Sequence, residues 1–170
     1  PNVLFREIQY RIFGTPDGYA IPPSRFIYLV DGFGWVRNYY DGGKAIVENM
    51  LKHLEEKHID IYDFQKILDF GCGSGRLVRH FAFLKDTELY GCDYNKELIK
   101  WCRKNLNLAK FQTNNMNPPI DYADNLFDFI YLRSVFTHLG EEMQNTWMKE
   151  FSRILKPGGV LHFTTHGSQF

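Results

Sequence analysis

The spacing of apolar residues along the chain alternates between two periods, and that alternation predicts strands separated by helices. Ile67-Leu68-Asp69-Phe70 is a short apolar run that stops at a turn holding Gly71, Gly73 and Gly75. Beyond the turn, Leu77, Val78, Phe81 and Leu84 recur at helical spacing, so the pattern predicts buried strand, tight turn and amphipathic helix. Upstream, Ile46, Val47, Met50, Leu51 and Leu54 form one face of a helix expected to start at Asp41, with Asp41 as its cap. A second strand is expected at Glu88 to Cys92, ending at Asp93. Asn95 then caps a helix whose apolar face is Leu98, Trp101, Cys102 and Leu106.

A third short strand, Ala109 to Thr113, runs into Asn114-Asn115-Met116-Asn117-Pro118-Pro119, where the prolines favour a loop. Phe127 to Leu132 is a continuous apolar run broken only by Asp128, which suits a strand buried on both faces of a parallel sheet. Glu141 to Leu155 reads as a helix with Met143, Trp147, Phe151 and Ile154 or Leu155 on one stripe. Lys156-Pro157-Gly158-Gly159 is a turn and Val160 to Thr165 a fifth strand. Strands and helices alternating in this way call for an α/β fold with a parallel sheet and right-handed crossovers.

Residues 1–40 do not follow the pattern. Pro16, Pro22, Pro23 and several glycines break any long periodicity, yet Phe26, Tyr28, Phe33, Trp35, Tyr39 and Tyr40 give the segment a large apolar surface that needs a partner. It is expected to pack over the core as a cap or to close over a ligand as a lid, and both readings stay open. The expected division is 1–40 for this segment and 41–170 for the α/β domain.

Composition adds limits. A chain of 170 residues, 44% apolar, supports one domain with a real core. Twenty basic residues balance 20 acidic ones without a like-charge block, so no electrostatic footprint for nucleic acid or a membrane surface is visible. No bilayer-length apolar run and no signal-peptide core occur, which makes the cytoplasm the expected location. Cys72, Cys92 and Cys102 show neither a disulfide framework nor zinc spacing, and no metal site is expected. The chain begins at Pro1 and stops soon after a strand, so it is expected to be a piece of something longer.

The glycine turn carries the chemistry. Glycines let the backbone take positive φ and let a ligand approach the main chain, while the turn's free N–H groups face whatever binds there. A dinucleotide fingerprint would need its third glycine at position 76, which is Arg76. The pattern present is Asp-x-Gly-x-Gly-x-Gly beginning at Asp69. A carboxylate there repels a pyrophosphate but can receive, directly or through water, the ammonium of an amino-acid moiety. A nicotinamide-dependent oxidoreductase is therefore disfavoured.

In an open α/β sheet, ligands bind beyond the carboxyl ends of the strands. Residues at those ends are Gly71 to Gly75, Asp93, Asn114 to Met116, Leu132, Arg133, Ser134 and His166. Asp93 stands 22 positions after Gly71 and can accept both hydroxyls of an unphosphorylated ribose, or can serve only as a cap or loop acid. Tyr94 offers a ring for an adenine face. Asn114 or Asn115 can bind the exocyclic amine of that base or be a plain turn residue. His138 and His166 are candidates for a general base, or for structural histidines.

Taken together, Ile67 to Gly75 resembles motif I of the class I S-adenosylmethionine-dependent methyltransferases. Gly91-Cys92-Asp93-Tyr94 is similar to their acidic motif at the second strand, Asn125 to Ile130 to the motif opening the fourth, and Glu150 to Gly159 to the signature leading into the fifth. Phe136-Thr137-His138-Leu139 and Thr165-His166-Gly167 resemble bacterial small-molecule or glycan-associated members. The resemblance implies a Rossmann-like, mostly parallel sheet of order 3-2-1-4-5, flanked by helices, with the family's last two strands missing from this chain. It also implies S-adenosylmethionine as cofactor, bound by Asp69, Gly71, Cys72, Gly73, Gly75, Asp93, Tyr94, Asn115, Met116, Leu132, Arg133 and Ser134. The expected reaction is methyl transfer to an oxygen or nitrogen of a small-molecule or glycan acceptor. The alternative is a non-catalytic methyltransferase-like module of a larger protein.

Overall fold

A computed structural model describes residues 35–165. The chain runs α1 (Trp35–Glu56), β1 (Lys66–Phe70), β2 (Glu88–Asp93), α2 (Lys96–Asn105), β3 (Lys110–Thr113), β4 (Phe127–Leu132), α3 (Glu141–Ile154) and β5 (Leu155–Phe163), with short 3-10 turns at Ile61–Asp63, Val78–Phe81 and Phe136–His138. The five strands form one parallel sheet ordered β3-β2-β1-β4-β5. That is the expected α/β, Rossmann-like arrangement. The strand order reverses between β1 and β4, and the crevice at their carboxyl ends is where a ligand of such a sheet sits.

Alternation along the strands divides the core. Ile67, Phe129 and Tyr131 face α1, the Val78–Phe81 turn and α2, packing with Met50, Phe81 and Ile99. Leu68, Phe70, Ile130 and Leu132 face the opposite layer and meet Trp147, Phe151 and Ile154 of α3. Phe127 and Phe129 to Leu132 are buried, which confirms that β4 is covered on both sides. Asp128 interrupts that strand for a reason. Its Oδ2 accepts from Gln65 N (3.0 Å) and Lys66 N (2.8 Å), and its Oδ1 accepts from Lys156 Nζ (2.7 Å), tying together the starts of β1, β4 and β5.

Three local expectations need correction. The helix expected from Asp41 already begins at Trp35, so Asp41 lies inside α1 and does not cap it. The helix expected after the glycine turn is only a 3-10 turn, because Leu77, Val78, Phe81 and Leu84 reach the core within a compact turn, without a continuous helix. The fifth strand starts at Leu155, not Val160. It absorbs Lys156 to Gly159 as an irregularity between the Phe127–Leu155 and Phe129–Val160 pairings, with Gly158 at φ +80°. Of the cap or lid expected over residues 1–40, residues 1–34 lie outside the described residues, as does His166.

Candidate active site

The glycine turn leaves β1 at the centre of the sheet and is held from three directions. Gly71 N and Cys72 N both donate to Cys92 O, at 2.8 and 2.9 Å, so the turn is bonded to the end of β2. Beneath it the buried Arg79 donates from Nε to Gly75 O (2.9 Å) and from a terminal nitrogen to Ser74 O (3.1 Å). From above, Gly73 N donates to Asp93 Oδ2 at 2.9 Å. Gly73 has φ +55°, and a Cβ added there would meet nothing within 4 Å, so its missing side chain leaves open space over the turn. Gly75, at φ +71°, serves packing instead, since a Cβ there would lie 2.4 Å from Leu106 Cδ1.

Asp93 closes β2 and its second oxygen is also engaged, with Oδ1 accepting from Asn95 N at 2.8 Å. Each carboxylate oxygen keeps a lone pair for a ligand hydroxyl. Burial raises its pKa, against the lowering effect of the Asn95 and Gly73 N–H groups. Asn95 itself caps α2, its Oδ1 accepting from Glu97 N and Leu98 N.

Asp69 is almost wholly buried on the floor of the crevice. Burial is the main cause that pushes its pKa up to about 7; the Val78 N–H, 3.2 Å from Oδ2, and the neighbouring Tyr131 hydroxyl pull it back only in part. Tyr131 stands beside Asp69 without completing a hydrogen bond of normal geometry. Burial also drives the Cys72 and Cys92 thiols well above their usual range, so both remain protonated and inert.

Two pockets adjoin the turn. One, about 500 Å³, is lined by Asp93, Tyr94, Asn114, Asn115, Met116, His138 and Trp147, together with Phe70, Gly71, Arg133, Ser134, Val135 and Leu139. The other, about 280 Å³, is lined by Asp69, Gly71, Cys72, Gly73, Ser74, Arg76, Arg133 and Ser134, with Ile46, Leu77 and Leu98. They share Gly71, Arg133 and Ser134, so the expected acids lie on opposite sides of one junction. Trp147 Nε1 donates to Met116 O at 3.3 Å and steadies the loop after β3. Ser134 takes φ +56° and donates its N–H to Thr164 Oγ1 at 2.9 Å.

Of the residues expected from sequence, Asp69, Gly71, Cys72, Gly73, Asp93, Tyr94, Asn115, Met116, Arg133, Ser134 and His138 come to these two pockets. Gly75 and Leu132 line neither, and the Leu132 side chain is buried in the core facing α3. Sequence reasoning missed Ile46, Arg76 and Trp147, whose helical or turn spacing reads as core or surface until the sheet brings them to the crevice. A larger groove of about 640 Å³, between the end of α1, Tyr62 and Phe83, holds none of the expected residues. No cluster of three or more metal ligands occurs among the described residues. Nor is any helix there long and apolar enough to cross a membrane.

Comparison with known proteins bears on the family and the fold. The family described as "Methyltransferase domain" matches residues 68–163, more than half of the chain. The chain belongs to that family, the class I S-adenosylmethionine-dependent methyltransferases. It is 26% identical over 147 residues to a malonyl-[acyl-carrier protein] O-methyltransferase from Buchnera aphidicola, covering 84% of this chain and 56% of that protein. To phosphoethanolamine N-methyltransferase 3 from Arabidopsis thaliana it is 29% identical over 131 residues, covering 73% of this chain and 26% of that protein. The chain therefore spans little more than half of the first relative and about a quarter of the second. A crystal structure of a SAM-dependent methyltransferase from Aquifex aeolicus shares the fold, with a TM-score of 0.58 and 23% identity over 85% of this chain and 72% of that one.

Proposed function

We propose that the chain carries out S-adenosylmethionine-dependent methyl transfer to an oxygen or nitrogen of a small-molecule or glycan acceptor. The observation that carries this reading is the pair of pockets meeting at Gly71, Arg133 and Ser134, with Asp93 in one and Asp69 in the other. That arrangement fits an adenosyl amino acid end to end. The residues present suit the group: open space above Gly73, two unused lone pairs on Asp93, and a buried acid whose ionised form a neighbouring ammonium would favour. Asp93 would hold the ribose hydroxyls, Tyr94 and the Asn114–Met116 loop the base, and Asp69 with the turn the amino-acid end.

When bound, S-adenosylmethionine supplies a methyl group on a cationic sulfur, which becomes a neutral thioether as an acceptor lone pair takes the methyl carbon. Gly71 and Ser134, which line both pockets, would flank that exchange, and the chain's contribution would be alignment and exclusion of water. A nucleophile that begins protonated must lose its proton, and His138, at the rim of the Asp93 pocket, can receive it. The two relatives named above are an O- and an N-methyltransferase, which supports a range of acceptor atoms for this chain. Three buried free cysteines support residence in the reducing cytoplasm.

Calorimetry with S-adenosylhomocysteine, followed by radiolabelled methyl transfer from S-adenosylmethionine into a metabolite and glycan pool, tests the proposal. Binding and label incorporation are expected. Binding without any incorporation would make the chain a cofactor-holding module, and absence of binding would remove the cofactor assignment.

A further inference from the structure

A third cavity, about 200 Å³, lies between α1 and the β4–β5 side of the sheet, lined by Ala45, Ile46, Asn49, Met50, Arg133 and His162. It shares Ile46 and Arg133 with the Asp69 pocket, and Arg133 also lines the Asp93 pocket. Arg133 therefore lines all three spaces, beside the Gly71 and Ser134 junction.

The lining has a consistent chemistry. Among the described residues no carboxylate lines it. Arg133 is exposed and makes no hydrogen bond or ion pair among the described residues. Asn49 is exposed on α1, and the acid beside it, Glu48, is 3.8 Å from Lys44 and thus already in an ion pair. His162 reaches the cavity from β5, its Nε2 3.4 Å from His53 Nδ1 with the two rings stacked. Its pKa is lowered by burial first and then by His53 and Arg133, so the ring is a neutral hydrogen-bonding group beside a fixed cation.

We propose that this cavity receives the methyl acceptor, and that the acceptor carries an anionic group, a carboxylate or a phosphate, held by Arg133 with His162 and Asn49. The inference rests on the methyl-transfer reading above. Its physical basis is charge. A cationic sulfur bound near the junction would repel the Arg133 guanidinium, and an anion between them would remove that repulsion. Arginine offers a planar fork suited to either anion. The adenosyl and amino-acid portions would take up the other two pockets, which leaves this one, sharing Arg133 with both, for the acceptor. One water needs roughly 10–15 Å³ of such space, so 200 Å³ accommodates an acid group with several attached atoms.

The test uses malonate and inorganic phosphate as probes, each titrated into protein saturated with S-adenosylhomocysteine, with calorimetry and NMR of the Arg133 Nε–H and His162 ring signals. Saturation keeps the probes out of the Asp69 pocket. At least one anion is expected to bind and to shift both signals, and which one binds distinguishes a carboxylate from a phosphate acceptor. Arg133→Gln should weaken that binding about tenfold or more, the loss of a charge-assisted contact. Ala45→Phe fills the cavity from an exposed helix position and should abolish anion binding while S-adenosylhomocysteine affinity and melting temperature hold. The proposal is overturned if neither anion moves the Arg133 and His162 signals, or if Ala45→Phe leaves anion affinity unchanged. Failure of S-adenosylhomocysteine to bind, measured before any anion is added, overturns the methyl-transfer reading and this proposal with it.

Discussion

Gly73 N donates a 2.9 Å hydrogen bond to Asp93 Oδ2, so the turn that ends β1 is fastened to the acid that ends β2. One carboxylate thereby shapes the turn and remains available to a ligand through its other lone pairs. Neither function is separable from the other by a single deletion, and this governs the first expectation.

Asp93→Ala removes the acceptor for Gly73 N and for Asn95 N together with the ribose contacts. S-adenosylhomocysteine affinity should fall by about 1–3 kcal/mol, roughly 5- to 150-fold. Calorimetry at constant pH measures this, and unchanged affinity would take Asp93 out of the site.

Gly73 and Gly75 share positive φ but should respond differently. Gly73→Val places its side chain in open space over the turn, so cofactor binding should be lost with a stability cost of only about 1–2 kcal/mol from the backbone conformation. Gly75→Ala drives a methyl into Leu106, so the loss should appear chiefly as a lower melting temperature. Paired thermal melts and binding isotherms separate the cases; a Gly73→Val protein that still binds would contradict the turn's assigned role.

Asp69 predicts a pH dependence in two directions. Folding raises its pKa from 3.8 to about 7, so in the ligand-free protein its contribution to stability is complete below the unfolded value and is lost as pH rises through 7. A ligand ammonium favours the ionised acid, so binding releases a proton, and S-adenosylhomocysteine affinity should rise about tenfold between pH 6 and pH 8. Asp69→Asn should flatten both profiles. Affinity independent of pH in the unmutated protein would dissociate Asp69 from the ligand's amino group.

Asp128 should matter to the fold and not to the site. Burial alone would raise its pKa, but the Lys156 ammonium and the Lys66 N–H outweigh this and hold it below the usual carboxylate range. Asp128→Ala leaves two backbone N–H groups and an ammonium without their acceptor and should cost about 2–3 kcal/mol in chemical denaturation. A loss below about 0.5 kcal/mol, the range of a plain surface substitution, would show the three-strand tie to be unimportant.

Much of this molecule was legible because its information is local. The continuous apolar run of β4, the Asn95 cap and the glycine turn each follow from a few adjacent residues, and Asp93 could be placed at a strand end by counting. Asp128 was the visible exception to an apolar strand, yet its reason was not, since its partners lie 62, 63 and 28 positions away. The missing helix after the glycine turn had a similar cause. Leu77, Val78 and Phe81 fit helical spacing, but a 3-10 turn buries the same side chains once Arg79 is drawn under the turn.

By itself the sequence determined the α/β alternation, the acid-glycine pattern and the acids flanking it, because backbone conformation and hydrophobic period are set by neighbours in the chain. Only the tertiary structure decided that Asp93 bonds Gly73, that burial raises the pKa of Asp69, and that Arg133 lines three cavities. Those are properties of surfaces brought together from distant segments, where solvent is excluded and charges are felt through the protein, and no local spacing encodes them.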